Sequence, residues 1–118
     1  MKSFPEQVAE AKQRIREVSA ADVQAMQARG ERFTLVDVRE PAEWEAGHLP
    51  GATHIPRGVL EFEAEAKVPA DAPVVLYCGV GGRSALAADA LQRMGYANVS
   101  SLAGGITAWA DAGGEIEG

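Results

Sequence analysis

Two rhythms of apolar residues alternate along the chain. From residue 5 to 17 they recur as Val8, Ala11 and Ile15, with Val18 next, at helical spacing with polar residues between, which predicts an amphipathic helix. Ser19 followed by Asp22 at the third helical position reads as a cap that opens a second helix through Met26, ended by Gly30. Elsewhere short stretches are rich in β-branched and apolar residues. Residues 34–38 read as a strand buried on both faces, 53–55 as a brief strand halted by Pro56, 74–77 as a continuous apolar strand introduced by Pro73, and 99–102 as a last strand. Between them lie helical segments at 40–44 with Pro41 in the first turn, at 59–67, at 84–94 ending on Gly95, and at 106–112 after Gly104 and Gly105. Short strands alternating with helices imply βαβ units, hence a doubly wound α/β fold with helices on both faces of a mainly parallel sheet. No internal repeat or linker divides the sequence. It is therefore divided into a helical extension over residues 1–17, which either packs on its own domain or mediates a dimer, and a single domain over residues 18–118.

Composition narrows the class. A chain of 118 residues with 47% hydrophobic and 24% charged residues is ordinary globular material. A net charge of −6 argues against a nucleic-acid partner, because phosphate must be met by lysine and arginine. There is no long uncharged apolar run and no signal-peptide core, so a cytoplasmic protein without a membrane contact is expected. The two histidines, one cysteine and scattered acids show no metal-ligand spacing, and neither a metal nor a cofactor is expected. A lone cysteine makes no internal disulfide.

That cysteine, Cys78, stands where the strand 74–77 gives way to Gly79-Val80-Gly81-Gly82-Arg83-Ser84. In an open parallel sheet, ligands bind where strands hand over to helices. The glycines permit positive φ, so successive N–H groups can turn inward as a nest for an anion, and a helix starting near Arg83 leaves its first donors free. An ordinary thiol, with a pKa of about 8.5, is only a few per cent ionised at neutrality. A well-placed helix dipole gives up to about 2 kcal/mol, or roughly 1.5 pKa units, enough to bring Cys78 toward half ionised. Arg83 closes the turn as a candidate anion clamp. His48 is a less favoured candidate base, because a thiol already lowered needs none. Asp37 and Arg39 suggest a buried polar network, and Trp44 and Trp109 core aromatics.

These residues fall into an order that resembles a single-domain rhodanese. The likeness runs from about Val18 to Trp109 and is carried by Leu35-Val36-Asp37-Val38-Arg39-Glu40 with Glu43-Trp44, by Gly47-His48-Leu49-Pro50-Gly51-Ala52 through Ile55, by Cys78 to Ser84, and by Leu102-Ala103-Gly104-Gly105-Ile106 with Trp109. The resemblance implies a five-stranded, mainly parallel sheet and a sulfurtransferase. In it Cys78 takes sulfur from a small-molecule donor such as thiosulfate and passes it as a persulfide to cyanide, a thiol or a protein acceptor. The amides of Gly79, Val80, Gly81, Gly82, Arg83 and Ser84 would hold the substrate sulfur, with Arg83 on the donor's oxyanion. The protein would act as a monomer or weak homodimer. One departure stands out: many active rhodaneses carry arginine or another polar residue directly after the cysteine, where this chain has Gly79, and Arg57 is the candidate replacement charge.

Two other functions fit parts of the pattern. A cysteine-dependent phosphatase also sets a cysteine and an arginine on an anion loop, but one residue longer than the four that separate Cys78 from Arg83. A non-catalytic binding module would keep the fold and need neither residue.

Overall fold

Residues 1–118 are described by a computed structural model. Helix α1, Phe4–Arg14, opens on Ser3, whose Oγ accepts the Glu6 N–H at 3.2 Å while Glu6 accepts the Ser3 N–H in return. Ile15 leaves it in an extended conformation, and Arg16–Val18 forms a short edge strand, β1. The helix read over 5–17 therefore ends sooner than its pattern suggests. Ile15 and Val18 continue the helical stripe, but the open edge of a neighbouring strand captures the backbone between them. The extension over 1–17 and the domain from 18 thus meet inside β1.

Ser19 and Asp22 form the expected capping box at the start of α2, Ala20–Ala28. There follow β2, Thr34–Asp37, α3, Pro41–Ala46, β3, Thr53–His54, a 3-10 turn at Arg57–Val59, and α4, Leu60–Lys67. The last third holds β4, Val74–Tyr77, α5, Gly82–Met94, β5, Val99–Leu102, and α6, Gly105–Asp111. The five strands are all parallel in the order β1-β5-β4-β2-β3. From β2 the chain steps outward to β3, and from β4 it steps the other way to β5. The carboxyl ends of β2 and β4 therefore flank the point at which the winding reverses, where open α/β sheets bind ligands.

Strand alternation divides the core. Val36, Val38, Val74, Leu76 and Cys78 face Leu60 and Ala64 of α4 and Ala87, Ala88 and Leu91 of α5. Leu35, Val75, Tyr77 and Leu102 face Val23 of α2 and Trp109 of α6. Burial on both faces accounts for the unbroken apolar run of β4 and for the apolar centre of β2, Leu35 and Val36. Helix α1 lies along α5: Arg14 grips Asp89 with two hydrogen bonds of 3.0 and 2.8 Å, Gln92 donates to the Arg14 carbonyl, and Phe4 and Val8 cover Gly82. The Arg14 guanidinium holds the Asp89 carboxyl below the usual carboxylate range.

Candidate active site

Cys78 continues the Val74 and Leu76 side of β4, so its side chain is directed at the start of α5. Gly81, with φ +105°, provides the left-handed step that turns the chain into that helix. On the other side, α6 fixes the loop: Ile106 N–H donates to the Cys78 carbonyl at 2.9 Å and Thr107 N–H to the Gly79 carbonyl at 3.2 Å. Gly105 makes this approach possible, since a Cβ there would lie 2.4 Å from the Cys78 carbonyl oxygen. Peptide planarity then turns the N–H groups of Gly79 and Val80 away from α6.

The sulfur is well supplied with donors. Cys78 is 1% exposed, and its Sγ accepts the Gly81 N–H at 3.1 Å and the Ser84 N–H at 3.4 Å. Its thiol reaches the Ser84 hydroxyl at 3.5 Å, and that hydroxyl lies 2.8 Å from the Ser101 hydroxyl on β5. The amides of Val80, Gly82 and Arg83 bond to no protein acceptor. Val80 is 72% exposed at the loop's outer edge, and no surface depression is lined by Cys78.

Arg83 turns out over the loop and forks onto Glu43 of α3, with hydrogen bonds of 2.7 and 3.1 Å. Glu43 also accepts the Glu40 N–H at 3.0 Å, which fixes it at the start of α3. The Arg83 guanidinium, working against burial, holds the Glu43 carboxyl down to about 2, and Glu43 in turn raises Arg83. A Cβ on Gly79 would sit 3.3 Å from Arg83 Nη2. The positive charge that Gly79 does not carry is thus brought close to the same place by Arg83, already paired.

The neighbouring strand end is built differently. Asp37, wholly buried, takes Arg39 on both oxygens and the Tyr77 hydroxyl at 2.7 Å. Arg39, 6% exposed, also donates to the Gly47 carbonyl at 2.6 Å. Burial opposes the Arg39 charge, and the hydrogen bonds that Arg39 donates to Asp37, together with the attraction of the Asp37 and Tyr77 oxygens, more than offset it. Burial, and then Asp37, push the Tyr77 hydroxyl above the ordinary tyrosine range. Trp109 is in the core, its indole N–H bonded to the Glu115 carbonyl, but Trp44 is half-buried and stacks on His48 at 3.5 Å and His54 at 5.0 Å. His48 donates to the Trp44 carbonyl and His54 to that of Arg39, so both imidazoles serve the turn. Arg57 pairs with Glu61. Sequence reasoning passed over Glu43 as the partner of Arg83, Phe4 as a cover on the loop, and Ser101. Consecutive serines inside a buried strand were the available signal for the last, because buried hydroxyls need partners.

Residues 19–112 match the rhodanese-like domain family. The chain belongs to that family. A rhodanese-related protein of Thermoplasma volcanium shares the fold, with a TM-score of 0.78 and 29% identity over 86% of this chain and 97% of its own. A Rhodopseudomonas palustris protein of unknown function, described as a possible tyrosine phosphatase, is similar over 99% of this chain and 96% of its own, with a TM-score of 0.90 and 37% identity. A sulfurtransferase of Allochromatium vinosum is 36% identical over 81% of this chain and 89% of its own length. The thiosulfate sulfurtransferase GlpE of Pseudomonas entomophila is 39% identical over 73% of this chain and 78% of its own. The probable adenylyltransferase/sulfurtransferase MoeZ of Mycobacterium tuberculosis is 44% identical over 69% of this chain, which spans only 21% of that protein. Membership and relatives with these names support sulfurtransferase as the class of activity of this rhodanese-like chain.

Proposed function

We propose that the protein moves sulfane sulfur through a persulfide on Cys78. The observation that carries this reading is the pair of donors on one sulfur: the Gly81 and Ser84 amides converge on Sγ at the amino end of α5, with the Ser84 hydroxyl 3.5 Å away. Fixed dipoles of this kind stabilise an anionic sulfur without reorganising. The Cys78 thiolate attacks the outer sulfur of thiosulfate; an S–S bond forms, the donor's S–S bond breaks, and sulfite leaves with the electron pair. A thiolate or cyanide acceptor then attacks the outer persulfide sulfur, and the Cys78 thiolate departs, ready for another round. Covalent catalysis divides one hard transfer into two easier ones.

In this reading the free amides of Val80, Gly82 and Arg83 bind the incoming sulfur and its charge. With no second cysteine in the chain, the acceptor is a separate molecule, either a small thiol or cyanide or a thiol on another protein. Arg83 meets the donor's oxyanion at the mouth, and Glu43 limits how much of its charge the donor feels. Intact-mass measurement after exposure to thiosulfate tests the proposal. A gain of about 32 Da, one sulfur atom, that is lost in Cys78→Ser is expected for covalent transfer; no gain from any sulfane donor would sink it and favour a binding module.

The description of the Rhodopseudomonas palustris protein keeps a phosphatase as the second reading. The short loop and the engagement of Arg83 by Glu43 favour a single sulfur atom over a tetrahedral phosphate. Hydrolysis of a phosphate ester by the purified protein, lost in Cys78→Ser, would reverse that preference.

A further inference from the structure

Behind the thiol, Ser84 and Ser101 form a buried pair of hydroxyls. Both residues are 0% exposed, and their oxygens lie 2.8 Å apart, bridging the start of α5 to β5. We infer that Ser101 is a positioning residue for the sulfur, acting through Ser84, an inference that rests on Cys78 being the sulfur carrier.

A hydroxyl has one proton to give and two lone pairs to receive. Ser101 Oγ has one hydrogen-bond partner, Ser84 Oγ. Ser84 Oγ has three neighbours: Ser101, Sγ at 3.5 Å and the Gly81 carbonyl at 3.4 Å. If Ser84 gave its proton to Ser101, the buried Ser101 proton would have no acceptor, and a negative sulfur would lose a donor. Both losses are costly in a dry interior. The arrangement that satisfies every group has Ser101 donating to Ser84. One lone pair of Ser84 is then occupied, and its own proton is left to choose between the Gly81 carbonyl and the sulfur.

That choice follows the charge on the sulfur. While Cys78 is protonated, its S–H is directed to the remaining lone pair of Ser84, whose O–H rests on the Gly81 carbonyl. Once the sulfur is negative, as thiolate, the Ser84 O–H rotates to it, with no heavy atom needing to move. Ser101 prevents the wasteful third orientation. It touches neither sulfur nor donor.

The test is the pH profile of Cys78 alkylation by iodoacetamide in the intact protein, a readout that needs no sulfur transfer. Ser101→Val and Ser101→Thr share a shape and differ by a hydroxyl, so any packing disturbance is common to both. The Val variant should alkylate about three- to fivefold more slowly than the Thr variant at neutral pH, with its profile displaced to higher pH, the size expected of one hydrogen bond to a charge. Combining Ser84→Ala with either Ser101 variant should erase the difference. Equal rates for Val and Thr, or a difference that survives in the Ser84→Ala background, overturns the inference. Sulfur uptake is read separately by mass: alkylation that behaves as expected in a protein that gains no sulfur would remove the sulfurtransferase reading and leave the hydroxyl pair in place.

Discussion

Strands β2 and β4 lie side by side and end at the same edge of the sheet, yet the two ends serve opposite purposes. At the end of β2 the strong polar groups are satisfied: Asp37 accepts from Arg39 and from Tyr77 of β4, and Arg39 also donates to the Gly47 carbonyl. After β4, the side chains are nearly absent and the backbone is left with amides to spare. A strand end becomes a scaffold when its donors and acceptors are balanced, and a site when donors exceed acceptors around one polarisable atom. The charged residues of this region draw attention in the sequence, but the unpaired donors lie among glycines.

The comparison is broken most severely from the scaffold side. Asp37→Ala strands the Arg39 guanidinium in the interior, and loss of one member of a buried ion pair costs about 3–5 kcal/mol. The denaturant midpoint should collapse, although Asp37 reacts with nothing; a small shift would show that water reaches the network. Gly105→Ala attacks the other end from outside the loop. Its methyl would enter the space of the Cys78 and Gly79 carbonyls at 2.4–2.6 Å with φ +57°, and overpacking together with strain costs about 2–4 kcal/mol. Sulfur uptake per folded molecule should fall with it; unchanged uptake would separate the loop from α6.

Glu43→Gln sharpens the comparison with a smaller effect. It converts the one balanced charge on the site side into an unpaired Arg83, so kcat/KM for thiosulfate should rise about two- to fourfold while that for an uncharged sulfane donor stays level, in proportion to a partly exposed pair. A parallel change for both donors would remove Arg83 from donor binding. The least effect is on stability. The Glu43 carboxyl, ordinarily 4.5, lies at about 2 in the folded protein. A depressed carboxyl contributes stability in full above its unfolded value and loses it as pH falls through the folded one. The stability gap between wild type and Glu43→Gln should therefore be flat above about 4.5 and close toward 2, and screening keeps it under about 1 kcal/mol. A gap that widened on acidification would reverse the assignment.

Much of this was legible in the sequence because local and global signals agreed. Strands 74–77 and 99–102 match β4 and β5 residue for residue, the first a continuous apolar run introduced by Pro73 and the second set between the Gly95 turn and Gly104-Gly105. The Ser19 cap and the Gly81 turn rest on side-chain or φ requirements that few residues meet. Strand β1 was not legible: three residues show no rhythm, and the pairing that makes them a strand comes from β5, more than eighty residues away. Trp44 looked like core because size suggests burial, whereas its ring lies half open between two imidazoles. The partner of Arg83 was hidden because the forty residues between Glu43 and Arg83 are brought together only by the adjacency of β2 and β4.

The grip of α6 on the carbonyls of Cys78 and Gly79 sets a timetable for biosynthesis. The residues that orient the loop, Gly105 to Thr107, are translated 27 to 29 positions after the cysteine itself. Until Gly105 has left the ribosome, the turn that carries Cys78 has no support from α6, and the loop takes its final shape only when the last helix docks. Pulse labelling of ribosome-bound chains with a thiol reagent would time that event.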